Sequence, residues 1–473
     1  VGLGQLMELS LAGTRIKHLE SYAFKDLINL KSLDMSKSNL ETIESDAFYG
    51  PVELIYLILE TNKIRTLANG TFRMVSNLRK TLLLSNSEIE FIEPNAFDGL
   101  TILALLKLDS NNLKCIRSNT FKSVSNLNTL DLSNSKVEII ELDAFYGLNK
   151  LKYLNISFNN LKHIQNYTFL HLESLLMLFL SSSNVQSFDS DAFYGLKLAE
   201  NLDLYGNYFN STSIDFSKIS TLKVLDLRQS NLTRVEPFTF SLNTFITRLL
   251  ISFNNIRIVE KNAFDGLAKL YFLDLSHCNI ELIELGAFNG MPNVVELILN
   301  SNNIKHLADN LFSSLLSLAE LHFKENSIEK ISQHAFNATY SLDSVVFDEI
   351  MVTNENFNNR STIFLGLNLN VSIEFNTLKY SFKNLSLDNK KILNRRFSSK
   401  KYRGIFFKSF FFKLFDQDED ELICLSTTYF TRHNIRFNVD NEKDLLRLMN
   451  SCQKVNMSNF GHLNSMNRKF QVA

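Results

Sequence analysis

LNTLDLSNSKVEIIELDAFYGLNKLKYLNISFNNLKHIQNYTF, residues 127–169, is one line written twice. Leu127, Leu130, Leu132, Val137, Ile140 and Phe145 return as Leu151, Leu154, Ile156, Leu161, Ile164 and Phe169, a shift of 24 residues. One difference stands out, because Ser135 in the first copy becomes Asn159 in the second. The template L-x-x-L-x-L-x-x-N-x-L-x-x-L-x-x-x-x-F, slid outward in both directions, finds fourteen copies between Leu6 and Ser341. They begin at Leu6, Leu30, Leu54, Arg79, Leu103, Leu127, Leu151, Leu175, Ala199, Leu222, Ile246, Leu270, Val294 and Leu318. Leu78 reads as one extra residue before the fourth copy, and the ninth copy is one residue short.

Copies in phase at this length mean stacked units that cannot bury their apolar face alone. In each, L-x-L reads as a short strand with its leucines inward. The nineteenth position is Phe in thirteen copies, from Phe24 to Phe336, and Phe216 takes that role in the short ninth copy. The expected result is a stacked aromatic spine, each ring contributing roughly 2–3 kcal/mol on burial. That use of Phe accounts for an aromatic content that might otherwise point to a cofactor pocket or to base stacking.

Position nine follows the strand, where backbone groups leave the sheet and need partners. An inward Asn supplies both donors and an acceptor. From Ser38 to Asn302 this position alternates between a small residue and Asn, so the larger period is 48. The small residue is usually followed by Asn or Lys, as in SKSNL and SNSKV. The reading is growth by duplication of two-copy units, with a structural ladder of alternating size.

These residues resemble the extracellular leucine-rich repeat proteins with 24-residue units, such as Toll-type receptor ectodomains, chaoptin and the acid-labile subunit. The phrases SDAFYGL, NAFDGL and DAFYGL are most similar to arthropod members, and the resemblance covers about 70% of the chain. It implies an α/β solenoid, a horseshoe with a parallel β-sheet on its concave face, and a binding role. The expected division is a repeat solenoid over residues 1–341 and a C-terminal flanking region over 342–473. Secreted relatives cover their first coil with a cysteine-bearing cap, which this chain lacks. With Val1 first and only five residues before Leu6, the chain reads as a mature form or a fragment.

The net charge of −1 and 45% hydrophobic content suit a large elongated core. No run of eighteen apolar residues occurs, so no membrane span is expected. Cys278 occupies an inward turn position and reads as a buried thiol. Cys115 lies seven copies away, beyond bonding reach. Cys424 and Cys452, both past the repeats, are the expected disulfide, worth about 3–4 kcal/mol by chain entropy. Sequons at Asn69, Asn155, Asn166, Asn210, Asn231 and Asn337, with four more beyond residue 350, fit secretion. LDSVVF from Leu342 resembles the start of a decayed fifteenth copy, and Leu365 to Phe375 alternates as a strand capping the last coil. Lys390 to Lys413 carries nine basic residues and no acid, with QDEDE following from Gln417. It reads either as a site for an anionic glycan or lipid, or as a cap whose cations face those acids.

Catalytic signatures are missing, and no cofactor or metal is expected. His18, His163 and His306 share position thirteen but lie six copies apart and read as repeat decoration. Asp203, Asp226 and Asp274 share position five, where an acidic column is ordinary solvated surface. Binding remains. Positions three, five and seven point outward and position eight lies at the edge. Together these positions hold eleven acids and five bases, which argues against nucleic acid.

Apolar side chains cluster on that face in three patches. Tyr56, Ile58, Leu83 and Leu105 form one. Tyr153, Phe158, Met177, Phe179 and Tyr205, bordered by Asp203, Asp226 and Arg228, form the second. Leu250, Phe253 and Phe272 with Arg248 form the third. Aromatic and Arg anchors on an apolar patch mark protein-binding surfaces; scattered surface apolars are the alternative. The expected function is recognition of a protein ligand or co-receptor, or of a second copy in a homodimer, by a secreted or cell-surface receptor, adhesion or innate-immune protein. The alternative is a self-associating structural or matrix protein. An enzyme is not expected.

Overall fold

The computed structural model describes residues 3–209, 214–332, 334–347 and 372–375. The chain divides into two compact units, Val1–Ile298 with Ser314–Ser317, and Leu299–Ser313 with Leu318–Ala473. Its fold is a parallel-strand solenoid of about 14 turns with almost no helix. The described helical turns are 3-10 turns at Leu3–Gln5 and Phe216–Lys218. The return half of each coil is otherwise built from turns and two-residue strands.

In the first unit each copy supplies a three-residue strand at positions three to five, from Glu8–Ser10 to Glu296–Ile298. Neighbouring strands pair in parallel with a constant shift, so Tyr153, Leu154 and Asn155 face Met177, Leu178 and Phe179. The central leucine of each strand after the first is buried, with 0% exposure at Leu33, Leu57, Leu154, Leu178 and Leu249. Beneath it the phenylalanines stack at centroid spacings of 6.0–6.4 Å, with interplanar angles of at most 18°, from Phe24 to Phe288. Such regular spacing holds because every copy reuses the same backbone path.

Phe216 keeps the spine continuous through the short ninth copy, 6.1 Å from Phe193 and 6.0 Å from Phe240. The shortened path tightens into the 3-10 turn Phe216–Lys218, capped by the Asp215 carboxylate accepting from the Ser217 N–H. Its carbonyls find a side-chain donor that the repeat pattern does not announce. Asn243, fully buried where other copies have Leu or Val, donates from Nδ2 to the carbonyls of Phe216 at 2.9 Å and Ile219 at 3.1 Å. In the fourth copy it is Leu78 that is buried, whereas Arg79 and Lys80 are exposed. Leu78 therefore fills the first core position, and the extra residue bulges at the surface just before the strand Thr81–Leu83. Hydrophobic burial, not the count from the preceding copy, selects the register.

The ladder at position nine explains the period of 48. Asn159 Oδ1 accepts from the N–H groups of Ser135 (3.0 Å) and Val137 (2.9 Å), and its Nδ2 donates to the carbonyls of Leu132 (3.0 Å) and Ile156 (2.7 Å). Asn62, Asn111, Asn207 and Asn254 accept the same pair of bonds from the copy before them. Ser135 Oγ donates to the carbonyls of Leu108 and Ser133 only. At the next interface the backbone takes over. Leu113 N–H donates to the Ser135 carbonyl and Leu161 N–H to that of Ser183, both at 2.9 Å. The two-residue strands on the far side of the coil pair in twos accordingly, Cys115–Ile116 with Ile139–Ile140 and His163–Ile164 with Ser187–Phe188. Asn side chains join one such pair to the next.

The turn also alternates in shape. Position eight takes a positive φ in most copies, but the small-residue copies repeat it at position ten, as at Asn134 (52°) and Lys136 (59°), or Ser182 (50°) and Asn184 (54°). A small residue between two left-handed ones avoids crowding, and Asn is among the side chains that best tolerate that region. That is the physical content of SNSKV and SSSNV.

In the second unit Glu320–Phe323 pairs in parallel with Ser344–Phe347, and that strand with Ser372–Phe375. The expected fifteenth strand and the end of the expected capping strand are thus present. Phe312 and Phe336 stack at 5.7 Å, and Asn326 Oδ1 accepts from the Ile304 N–H at 3.2 Å. Cys424, Cys452 and the segment Lys390 to Lys413 lie outside the described residues. Among the described residues no helix is long and apolar enough to cross a membrane.

Candidate functional site

The open face of the first unit's sheet carries the side chains at positions three, five and seven, as strand alternation requires. The register brings the second patch together. Tyr153 is the strand partner of Met177, and Asn155 of Phe179. Phe179 is in turn the partner of Asp203, and Asp203 of Asp226. Tyr153 is exposed, and Met177, Phe179, Asp203 and Tyr205 are half-buried. All eight residues of this candidate site fall on the same face or its edge.

The aspartates of position five have a structural duty that spacing alone did not reveal. Each turns its Oδ1 back to accept the N–H of position seven: Asp131 from Ser133, Asp203 from Tyr205 at 2.9 Å, Asp226 from Arg228 at 3.0 Å and Asp274 from Ser276. Asn155 does the same for Ser157. These short loops close the end of every strand, which is why an acid or Asn recurs there. Asp226 goes further, because Arg228 grips it with Nε at 3.0 Å from each oxygen and Nη2 at 2.5 Å from Oδ2. Asp226 is only 8% exposed, so this bidentate pair is an internal fixture of the patch border. The same guanidinium lies 5.4 Å from the centre of the Tyr205 ring, and Tyr205 Oη donates to Gln229 Oε1 at 2.8 Å. The bond to Asp226 also holds the Arg228 guanidinium above its ordinary pKa. Burial pushes the Asp203 carboxyl up, the Tyr205 N–H opposes that, and the Asp226 charge adds to the rise.

Phe158 stands at the edge of the patch with a φ of 59° and 61% exposure. A bulky side chain in the left-handed region is strained, and a large exposed apolar ring adds to the cost. Phe253, φ 61° and 49% exposed, repeats this in the third patch, stacked on His277 at 4.3 Å. Other copies place Lys, Ser, Asn or Gln at this position. We expect Phe158→Asn to raise stability by about 0.5–1 kcal/mol. Chemical denaturation at constant slope measures this, and a loss of stability instead would mean that Phe158 is held by packing.

The other patches are less continuous. Ile58 and Leu83 are partners, but Thr81 separates Tyr56 from Leu105. In the third, Arg248 lies 4.4 Å over the ring of its partner Phe272, while Leu250 faces Asp226 and Asp274.

Of the sequons, Asn69, Asn166, Asn231 and Asn337 are exposed and lie off the sheet, whereas Asn155 is half-buried within it and Asn210 lies outside the described residues. His18, His163 and His306 each bridge to the following copy, through Thr42, Ser187 and Ser332 at 2.8–3.0 Å. Cys278 Sγ donates to the Ile251 carbonyl at 3.3 Å in the ladder, and burial pushes its pKa up to about 12. One feature went unforeseen. A cleft of about 270 Å³, lined by Ile139, Ile140, Leu161, His163 and Ile164 among others, opens where one pair of outer strands ends and the next begins.

The family model of the leucine rich repeat matches residues 4–64, 53–113, 103–161, 150–209, 220–280 and 292–345. Mouse osteomodulin is 39% identical over 79 residues, 16% of this chain and 18% of that protein. Among solved structures, a TLR13–ssRNA13 complex is similar with a TM-score of 0.66 and 21% identity, over 84% of this chain and 53% of that one. The Drosophila Toll–Spatzle complex follows with a TM-score of 0.64 and 19% identity, over 79% and 50%. The chain thus spans about half the length of these two receptors, and at such identities the likeness is one of fold. With its matched residues covering most of the stretch from 4 to 345, and the same coil built at each of them, the chain belongs to the leucine-rich repeat family.

Proposed function

We propose that this chain is the recognition part of a secreted or cell-surface, receptor-like protein, and that it binds a protein ligand on the open sheet face around Tyr153, Phe158, Met177, Phe179 and Tyr205. The observation that carries this reading is an aromatic and Met cluster raised on a rigid sheet, with a charged border and a strained, exposed Phe158 at its edge. Nothing in the packing of the coil calls for these side chains, since the core lies on the other side. Aromatic area with a flexible Met suits a protein hot spot. Toll, a fold relative, is described in complex with Spatzle, which supports the protein-ligand reading. The acid excess of this face argues against the nucleic-acid ligand named for TLR13. Adhesion, innate-immune recognition and homodimer formation are uses of the same surface.

The test is a screen of soluble tetramers of this chain against an array of secreted and surface ectodomains. Phe179→Ala combined with Tyr205→Ala should weaken binding of the ligand so found at least tenfold, with little change in melting temperature. Retention of every hit by the double variant sinks the reading, provided that mass spectrometry finds no glycan on Asn155. Secretion has its own test. Non-reducing peptide mapping is expected to recover Cys424 joined to Cys452 and glycans on Asn69, Asn166, Asn231 and Asn337. Both thiols recovered free, with bare sequons, would oppose it.

A further inference from the structure

The geometry points to a cationic side chain, an arginine or lysine of the partner, as the anchor that this patch receives, seated on the Asp203 carboxylate between Phe179 and Tyr205. The inference rests on the proposed ligand site and specifies what enters it. Its template is internal. One copy further along, Asp226 at position five holds Arg228 at position seven, and the guanidinium lies 5.4 Å from the centre of the Tyr205 ring. Carboxylate, cation and aromatic ring thus form a complete recognition set. In the ninth copy the same two positions are Asp203 and Tyr205, so a carboxylate stands there with an aromatic where the next copy has its arginine.

The surroundings of Asp203 supply a cation seat without a cation. On one side its strand partner is Phe179, and neighbouring strands run about 4.8 Å apart. On the other side is Asp226, whose charge Arg228 already neutralises through both oxygens. Asp203 Oδ1 accepts the Tyr205 N–H, and among the described residues no Lys or Arg forms an ion pair with it. Ser181 and Tyr205 complete the ring of neighbours. A half-buried carboxylate beside aromatic faces attracts a guanidinium or ammonium through charge and ring quadrupole together, and partial desolvation strengthens both. Elsewhere on the face the chain fills such seats itself, as with Arg248 over Phe272 at 4.4 Å. The acid excess of the whole face adds attraction for a basic partner.

Met177, the strand partner of Tyr153 and of Asn201, places a methyl reporter at this patch. Protein carrying 13C-methyl methionine is titrated with acetyl-Gly-Arg-Gly-amide and with its citrulline counterpart, which keeps the shape and loses the charge. The Met177 signal, assigned by its loss in Met177→Leu, should shift saturably with the arginine peptide and at least fivefold more weakly with citrulline. Asp203→Asn retains the acceptor for the Tyr205 N–H, so the loop stays closed, and should weaken the arginine peptide at least fivefold. Raising salt from about 50 to 500 mM should lower its affinity further. Equal titration curves for the two peptides, an unaltered response in Asp203→Asn, or an unmoved Met177 signal overturns the inference. The proposed ligand site falls separately, by the double variant at Phe179 and Tyr205. A patch that loses its protein ligand there yet treats arginine and citrulline alike retains the site and discards the cationic anchor.

Discussion

Phe169→Ala is expected to destabilise the first unit by about 3–5 kcal/mol. Phe169 is fully buried and stacked between Phe145 at 6.2 Å and Phe193 at 6.3 Å, so truncation removes a link that both neighbours touch. The coils on each side are tied into the sheet, where Tyr153–Asn155 pairs with Met177–Phe179, and cannot slide together to refill the space. Most of the cavity therefore persists, which places the loss in the upper range for an aromatic truncation. Phe169→Leu keeps most of the volume and should cost under about 2 kcal/mol. In a stacked array the damage is shared with nearest neighbours. Hydrogen exchange should accelerate most at the amides of the coils holding Phe145, Phe169 and Phe193 and least near Phe24. A uniform acceleration along the whole unit would show that the spine acts as one cooperative body, not as links.

Features set by position within the coil were legible in the residues themselves. The repeat, the inward leucines, the phenylalanine spine and its takeover by Phe216 all follow from burial, which recurs at fixed spacing. The alternation at position nine was visible as a pattern, and its period of 48 is met by the pairing of outer strands in twos. What spacing could not tell is where a long or polar side chain turns after leaving the backbone. Asp203 and Asp226 looked alike, yet Arg228 occupies one and not the other. The closing of each strand by Asp or Asn at position five depends on side-chain direction, and so does the reach of Asn243 to the turn of the short copy. Leu78 was misjudged for a related reason. The count from the preceding copy named Arg79, but an arginine cannot fill a buried leucine position, so the backbone bulged to save the core.

The contrast between Asn159→Ala and Ser135→Ala tests whether the ladder is a difference in bonding load. Asn159→Ala removes the acceptor of two buried N–H groups, those of Ser135 and Val137, and the donor serving the carbonyls of Leu132 and Ile156. Leaving a buried donor or acceptor unsatisfied costs about 1–3 kcal/mol, so two orphaned donors alone bring the loss to about 3–5 kcal/mol. Water has little room to compensate, since Ser135 is fully buried and Asn159 is 8% exposed. Ser135→Ala deletes one hydroxyl that donates to the carbonyls of Leu108 and Ser133 and receives a long bond of 3.3 Å from the Asn111 N–H. Asn111 Nδ2 still donates to the carbonyl of Leu108, so that group keeps a partner. The cost should then be near 1–2 kcal/mol. Because the Asn side chains join one two-copy unit to the next, the larger loss should also be directional. In Asn159→Ala, hydrogen exchange should rise at Ser135 and Val137 on one side, while Leu113, whose N–H donates to the Ser135 carbonyl within its own pair, stays protected. Equal shifts of the denaturation midpoint for both variants, at equal slope, would mean that the alternation reflects turn shape alone, with the left-handed residues Asn134 and Lys136 as its cause.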